Sequence, residues 1–152
     1  MALPHRIAAG GVIFQGESVL LARYARESGD GTYLAGPGGG LEDDENIIQA
    51  VVREVREETG LTVAPGRLIA IEEIIFPQYK MQKAWLLCEV VEGELRRTEE
   101  AEREGILEAA WFPRNRLAGE VVYPRFLQSE DWRDIRSGAL PVWLPPPRRA
   151  VA

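Results

Sequence analysis

A glycine-rich turn, Gly36-Pro37-Gly38-Gly39-Gly40, runs within a few residues into an amphipathic segment that carries three closely spaced glutamates. This juxtaposition constrains the chain more than any other feature. From Glu45 to Thr59 the apolar residues Ile47, Ile48, Val51, Val52 and Val55 recur at i, i+1, i+4, i+5 and i+8, the stripe of a helix buried on one side. Asp43 and Asp44 stand where N-cap acceptors belong, and Gly60 supplies the C-terminal stop. No regular element is expected from Gly36 to Gly40. Glu54, Glu57 and Glu58 fall at i, i+3 and i+4, so they share an arc of about 100° on the helix. That arc lies beside the apolar stripe, where helix meets sheet. Like charges at this spacing cost about 0.2–0.5 kcal/mol per pair even in water, and more where sheltered.

The rest of the chain reads as strands around that helix. Arg6 to Gln15 and Ser18 to Tyr24 form a hairpin across Gln15-Gly16-Glu17, Arg26 to Gly31 turns, and Thr32 to Ala35 is a short strand. Leu61 to Val63, Leu68 to Phe76, Met81 to Val91 and Ile106 to Phe112 follow as strands, with Glu92 to Glu104 an acidic loop. Pro113 opens a short helix through Leu117, and Phe126 to Arg136 is a second amphipathic helix. The Pro/Arg-rich tail, residues 141–152, is expected to be extended and mobile. Strands on both sides of a lone helix predict a single α/β domain over residues 1–140, with a mixed sheet and not a regular βαβ array.

Composition removes several classes of function. The single Cys88 excludes a disulfide framework, and the single His5 excludes an HxxxH metal pair and disfavours a Ser-His-Asp triad. A net charge of -6 has the wrong sign for a non-specific nucleic-acid or anionic-membrane binder. No apolar run reaches the roughly 20 residues of a membrane span, and the apolar run from Ile7 to Phe14 is short and leads into Gln15-Gly16-Glu17 without a small-residue cleavage site, so a cytoplasmic protein is expected.

Two readings of the helix compete. Arg53 and Arg56 can pair with the glutamates on a solvated face, or a divalent cation can relieve the repulsion, hard carboxylate oxygens suiting Mg²⁺ or Mn²⁺. The glycines favour the second, because they let backbone amides approach a ligand closely.

Together these residues resemble the Nudix hydrolases, whose signature is GX5EX7REUXEEXGU, with U a bulky aliphatic residue. Here Gly39, five residues, Glu45, seven residues and then Arg53-Glu54-Val55-Arg56-Glu57-Glu58-Thr59-Gly60-Leu61 fill every specified position. The order of strands before and after the motif, and Trp111-Phe112-Pro113, extends the resemblance over about residues 5–118. The resemblance implies an α/β/α sandwich with a loop–helix–loop metal site, and hydrolysis of a diphosphate joining a nucleoside to another group.

Carried over by residue, it makes Glu54, Glu57 and Glu58 metal ligands or catalytic groups, with the Gly38 carbonyl and Glu45 as further ligands and Arg53 orienting the glutamates. It implies Mg²⁺, with Mn²⁺ as substitute, and a small nucleotide-type substrate; nucleic-acid polymers and membranes are not expected. A homodimer, which many relatives form, would be compatible. The general base varies within the family. Of Glu99, Glu100, Glu102 and Glu104, the last is chosen, because the position six before Trp111, often glutamate in relatives, is Gly105 here.

Phe76, Tyr79 and Trp85 stand where relatives place base-stacking or specificity residues, and Gly39 and Gly40 could cradle phosphate; aromatics beside strands are nonetheless more often core. ADP-ribose, a dinucleoside polyphosphate, a nucleoside triphosphate and a non-nucleotide diphosphate all remain open as substrates. The alternative function is a non-catalytic Nudix-like nucleotide-binding or regulatory module.

Overall fold

The computed structural model describes residues 2–26 and 28–150. Its strands are β1 (His5–Gln15), β2 (Ser18–Ala25), β3 (Thr32–Ala35), β4 (Gly38–Gly40), β5 (Leu61–Ile75), β6 (Lys80–Gly93), β7 (Ile106–Pro113), β8 (Val122–Tyr123) and β9 (Arg148–Arg149). The α-helices are α1 (Ile47–Thr59), α2 (Glu99–Arg103), α3 (Phe126–Ser129) and α4 (Trp132–Ser137), with a 3₁₀ turn at Arg114–Leu117. The mixed sheet runs β8-β3-β2-β1-β6-β5-β9, while β4 also pairs with β1 and β7 with β2. Parallel pairing of β1 with β6 joins the N-terminal hairpin to the strands after the helix.

Alternation along the strands divides the interior between the two faces of this sheet. Val12, Leu21 and Trp85 point to one side, where they meet Phe126, Leu127, Trp132 and Ile135 of the C-terminal helices. Ile13, Leu20 and Leu86 point to the other, where they meet Ala50, Val51 and Val55 of α1. The expected sandwich follows directly: helices cover both faces. Cys88 is buried in the layer under α1, where burial pushes its thiol up to about 12.

The departures from the sequence expectations have local causes. The helix begins at Ile47, because Asn46 and not Asp43 or Asp44 is the cap: its side chain accepts from Gln49 N–H at 2.8 Å while Gln49 returns a bond to Asn46 N–H at 2.9 Å. This reciprocal capping box satisfies two amide groups that a helix leaves free. Asn46→Ala is expected to cost about 1 kcal/mol in denaturant unfolding, with the spectrum of the folded protein unchanged.

Gly38–Gly40, expected to be irregular, is instead a short strand across from Ala8–Gly10. A Cβ on Gly38 would lie 2.4 Å from Ala9 O, so only glycine lets the two backbones come this close. The two strands expected on either side of Pro65 are one, β5, irregular around Pro65–Leu68. The acidic loop contains α2, capped by Thr98. The single helix expected from Phe126 to Arg136 is broken at Glu130, and Asp131 caps its second half.

The tail runs along the edge of the sheet. Trp143 exchanges backbone hydrogen bonds with Ile69 and Ile71 at 3.0 and 2.9 Å, and β9 runs parallel to β5 at Ile74 and Ile75. Trp143 also stacks on Phe126 with ring centroids 5.3 Å apart. An apolar anchor and free edge hydrogen bonds on β5 outweigh the extended, solvated tendency of the prolines. Glu27, within the expected turn, and Val151 and Ala152 of the tail lie outside the described residues.

Candidate active site

Helix α1 is tethered at both ends so that its glutamate arc faces the β4 strand and α2. Gly60, with φ of 80°, closes its C-terminus in the left-handed conformation that glycine adopts without strain. The Glu58 carboxylate, 1% exposed, accepts from Gly38 N–H at 3.0 Å. Gly39 is equally constrained: a Cβ there would fall 2.6 Å from Glu54 Oε1. The glycines therefore make room for the carboxylates and donate to them.

Glu54, Glu57 and Glu104 each bring a carboxylate oxygen within 4.8 Å of the others. Of the four acidic residues expected to offer a further carboxylate, Glu104 is the one that joins this group. Glu102 pairs with Arg97 at 2.9 Å, and Glu99 with Arg103 at 3.5 Å. Glu104 reaches it from the C-terminal end of α2, and Glu58 shares a hydrogen bond with it. The donor set is entirely carboxylate oxygen, which fits a hard divalent cation such as Mg²⁺ or Mn²⁺ and not a thiolate- or imidazole-seeking metal.

The electrostatics of this group are uneven. Burial raises the Glu54 carboxyl above its ordinary value, opposed by Arg53 and reinforced by Glu104. Burial raises Glu58 much further, with the Glu104 hydrogen bond and the Glu54 charge adding to it. Both shifts favour the protonated form relative to a solvated carboxyl, and a bound dication would act in the opposite sense.

Arg53 and Glu45 are brought to the edge of the site and to each other. Arg53 Nε and Nη2 donate to the two Glu45 oxygens at 2.6 and 2.8 Å, and Nη2 also reaches Gly40 O at 3.1 Å. Its Nη1 donates to Glu54 at 3.0 Å and Glu57 at 3.3 Å. This fork holds Glu45 down to about 2. Both Glu45 oxygens are engaged by Arg53, and Glu45 is not among the carboxylates whose oxygens converge within 4.8 Å. Arg53 links the β4–α1 loop to the helix and tempers the repulsion between Glu54 and Glu57.

A cavity of about 290 Å³ opens beside Gly38 and Gly39. Phe76 and Trp85 border it, as does Gly39; Gly40 does not. Tyr79 stands behind Phe76, stacked at 4.5 Å, with Arg6 over its ring at 4.2 Å. Trp85 is mainly a core residue, 1% exposed, and its indole Nε1 donates to Glu72 at 2.7 Å. A larger open concavity, about 730 Å³, lies at Gly16, Pro113, Arg114, Trp132 and Arg136 and contains no residue of the glutamate group.

Sequence reasoning missed the polar floor of the smaller cavity. Glu72 is buried, faces Lys83 across the β5–β6 ladder, and meets Arg148 of β9 at 3.3 Å. The Lys83 ammonium lies 4.3 Å from the Trp85 ring centroid, and burial lowers its pKa against the pull of Glu58 and Glu72. Tyr24, Tyr33 and Tyr123 complete the aromatic wall. One signal was available: the charged residues Glu72 and Lys83 interrupt runs otherwise written for burial.

Comparisons with known proteins agree with this geometry. The family profile described as NUDIX domain matches residues 4–130. An 8-oxo-dGDP phosphatase of Homo sapiens is 36% identical over 107 residues, 68% of this chain and 30% of that protein. An 8-oxo-dGTP diphosphatase of Proteus vulgaris is 33% identical over 89 residues, 59% of this chain and 80% of that protein. This chain thus spans about a third of the length of the human relative. Among solved structures, a NUDIX hydrolase from Nitrosomonas europaea superposes with a TM-score of 0.69 at 27% identity, covering 89% of this chain and 90% of that one. Among the described residues no helix is long and apolar enough to cross a membrane.

Proposed function

This chain belongs to the Nudix hydrolase family, and on that premise we propose that it hydrolyses the diphosphate linkage of a nucleoside diphosphate derivative or nucleoside triphosphate, with Mg²⁺ as its cofactor. The observation that carries the reading is the approach of Glu54, Glu57 and Glu104 to within 4.8 Å of one another. Such a group tolerates its own charge at neutral pH when a cation sits among its oxygens.

In this reading Glu54, Glu57 and Glu104 hold the metal, with Glu58 beside them. A bound divalent ion would screen the diphosphate charge and lower the pKa of the attacking water. Glu104, the most exposed of the group, accepts the proton that water gives up. Glu58 fixes the β4 backbone through Gly38 N–H, and Arg53 keeps Glu54 and Glu57 aimed inward. The cavity beside Gly38 and Gly39 takes the nucleoside, Phe76 offering a face for the base. The nucleotide substrates named for the human and Proteus vulgaris relatives support a nucleotide over a non-nucleotide diphosphate.

The test is a panel of nucleoside diphosphate derivatives and nucleoside triphosphates, with products identified by mass. Hydrolysis of at least one member, abolished by EDTA and restored by Mg²⁺, is the expected result. Saturable binding without turnover of any member would instead establish the non-catalytic module.

A further inference from the structure

The smaller cavity holds one cation that no protein acceptor engages. Lys83 borders it together with Gly38, Gly39, Glu72 and Arg148. Its cross-strand neighbour on β5 is Glu72, but that carboxylate is already taken: one oxygen accepts from Trp85 Nε1 at 2.7 Å, the other from Arg148 Nε at 3.3 Å. The Lys83 ammonium makes no side-chain hydrogen bond and no ion pair among the described residues, and it rests over the Trp85 ring, 4.3 Å from the centroid. Three N–H donors therefore face the cavity without an acceptor.

The fold leans this side chain toward the glutamates. Gly10 of β1 is flanked by Trp85 on β6 and by Gly38 on β4. A Cβ on Gly10 would fall 2.5 Å from the Trp85 ring and 3.0 Å from Lys83 Cε, so bare backbone at this position admits both. Lys83 starts opposite Ala8 and extends toward Gly10, and so toward Gly38, whose N–H donates to Glu58. Glu58, Glu72 and Glu54 all attract the ammonium, yet none pairs with it.

The charged side chains that border the cavity are Lys83 and Arg148 against Glu72. Arg148 offsets Glu72, which leaves the Lys83 charge uncompensated on the wall beside the carboxylate group. A ligand that fills the cavity removes water from this ammonium. A base carbonyl would then offer it only a dipole, whereas an anionic oxygen offers both an acceptor and a counter-charge.

Resting on the nucleotide reading of this site, we infer that Lys83 is a substrate-binding residue: its ammonium holds a non-bridging oxygen of the phosphate attached to the nucleoside, between the carboxylate group and the base.

Calorimetry on the full chain with Mg²⁺ compares GMP, AMP, UMP and CMP with the corresponding nucleosides, in wild type, Lys83→Met and Lys80→Met. Wild type is expected to bind at least one monophosphate more tightly than its nucleoside. Lys83→Met keeps an unbranched side chain over Trp85 and should cut that advantage by roughly tenfold, the order of one charge-assisted hydrogen bond, with nucleoside affinity unchanged. Lys80→Met removes the same charge from the same strand at a position that does not border the cavity, and should keep the wild-type advantage. Should Lys83→Met fail to fold, Lys83→Gln, also uncharged, reads the same loss. No advantage in wild type, an unchanged one without the ammonium, an equal loss for nucleoside and monophosphate, or the same loss in Lys80→Met would each overturn the assignment. The third of these would show that Lys83 acts only by packing on Trp85. Monophosphates contain no diphosphate to cleave, so the result does not depend on turnover. Phosphate binding through Lys83 in a chain that hydrolyses no diphosphate would keep this assignment and remove the hydrolytic one.

Discussion

Exchange of Glu57 or Glu58 for glutamine lowers kcat/KM by at least about 100-fold, roughly 3 kcal/mol of transition-state stabilisation, while the fold survives. The two variants act through different contacts. Glu57 belongs to the group of carboxylates that converge within 4.8 Å, and an amide there removes one anionic oxygen from the donor set. Glu58 is buried against Gly38 N–H, and glutamine can keep that hydrogen bond through its own carbonyl oxygen. The amide resembles the protonated acid that burial already favours at this position, so Glu58→Gln should be at least as stable as the parent without metal. Circular dichroism and steady-state rates over a range of Mg²⁺ check the pair. Wild-type rates in both variants would remove the proposed roles of these glutamates, whatever the fold.

The glutamate arc was legible in the sequence because it lies within one helix, where spacing alone sets which side chains share a face. Glu54, Glu57 and Glu58 needed only the 3.6-residue repeat, and Gly39 and Glu45 needed only their distance from it. Glu104 was harder, since its arrival depends on where α2 ends, yet its separation from Trp111 narrowed the choice. The cap was misplaced because Asp43, Asp44 and Asn46 all carry suitable acceptors. What decides between them is the reciprocal bond from Gln49, a pairing visible only once the loop is built.

The cavity floor was not legible for a different reason. Glu72 and Lys83 meet through the register of two long strands, and the irregularities near Pro65 and Leu68 shift that register by amounts no local pattern records. Arg148 reaches Glu72 only because the tail pairs with the sheet edge, against the tendency of its four prolines. Trp85 was placed among the substrate contacts by its distance from the motif. Its burial shows a packing role as well, and its indole N–H fixes the carboxylate that Arg148 also holds. Contacts within an element follow from sequence spacing; contacts between elements follow from packing.

Without metal, the protein loses stability as the pH rises above the ordinary carboxylate range, and Mg²⁺ removes the loss. The sign follows from Glu54 and Glu58, whose values in the folded state lie above the ordinary 4.5 because of burial. The folded chain then binds more protons than the unfolded one above that value, so this stabilisation is complete below about 4.5 and drains away as the pH climbs through the folded values. Glu45 and Asp131, both held down to about 2, act the other way: their contribution is present above the ordinary carboxylate range and disappears only in stronger acid. Lys83, lowered by burial, opposes the decline only at pH above its folded value. A dication that displaces the protons from Glu54 and Glu58 binds more tightly as the pH rises. At a Mg²⁺ concentration 100 times Kd it contributes about 2.7 kcal/mol, or roughly 5–10 °C in Tm for a chain of this size. Thermal melts in EDTA and in Mg²⁺ at pH values above the ordinary carboxylate range provide the check. A melting temperature in EDTA that rises over the range, with no separation between the two conditions, would show that the glutamates neither hold excess protons nor bind the ion.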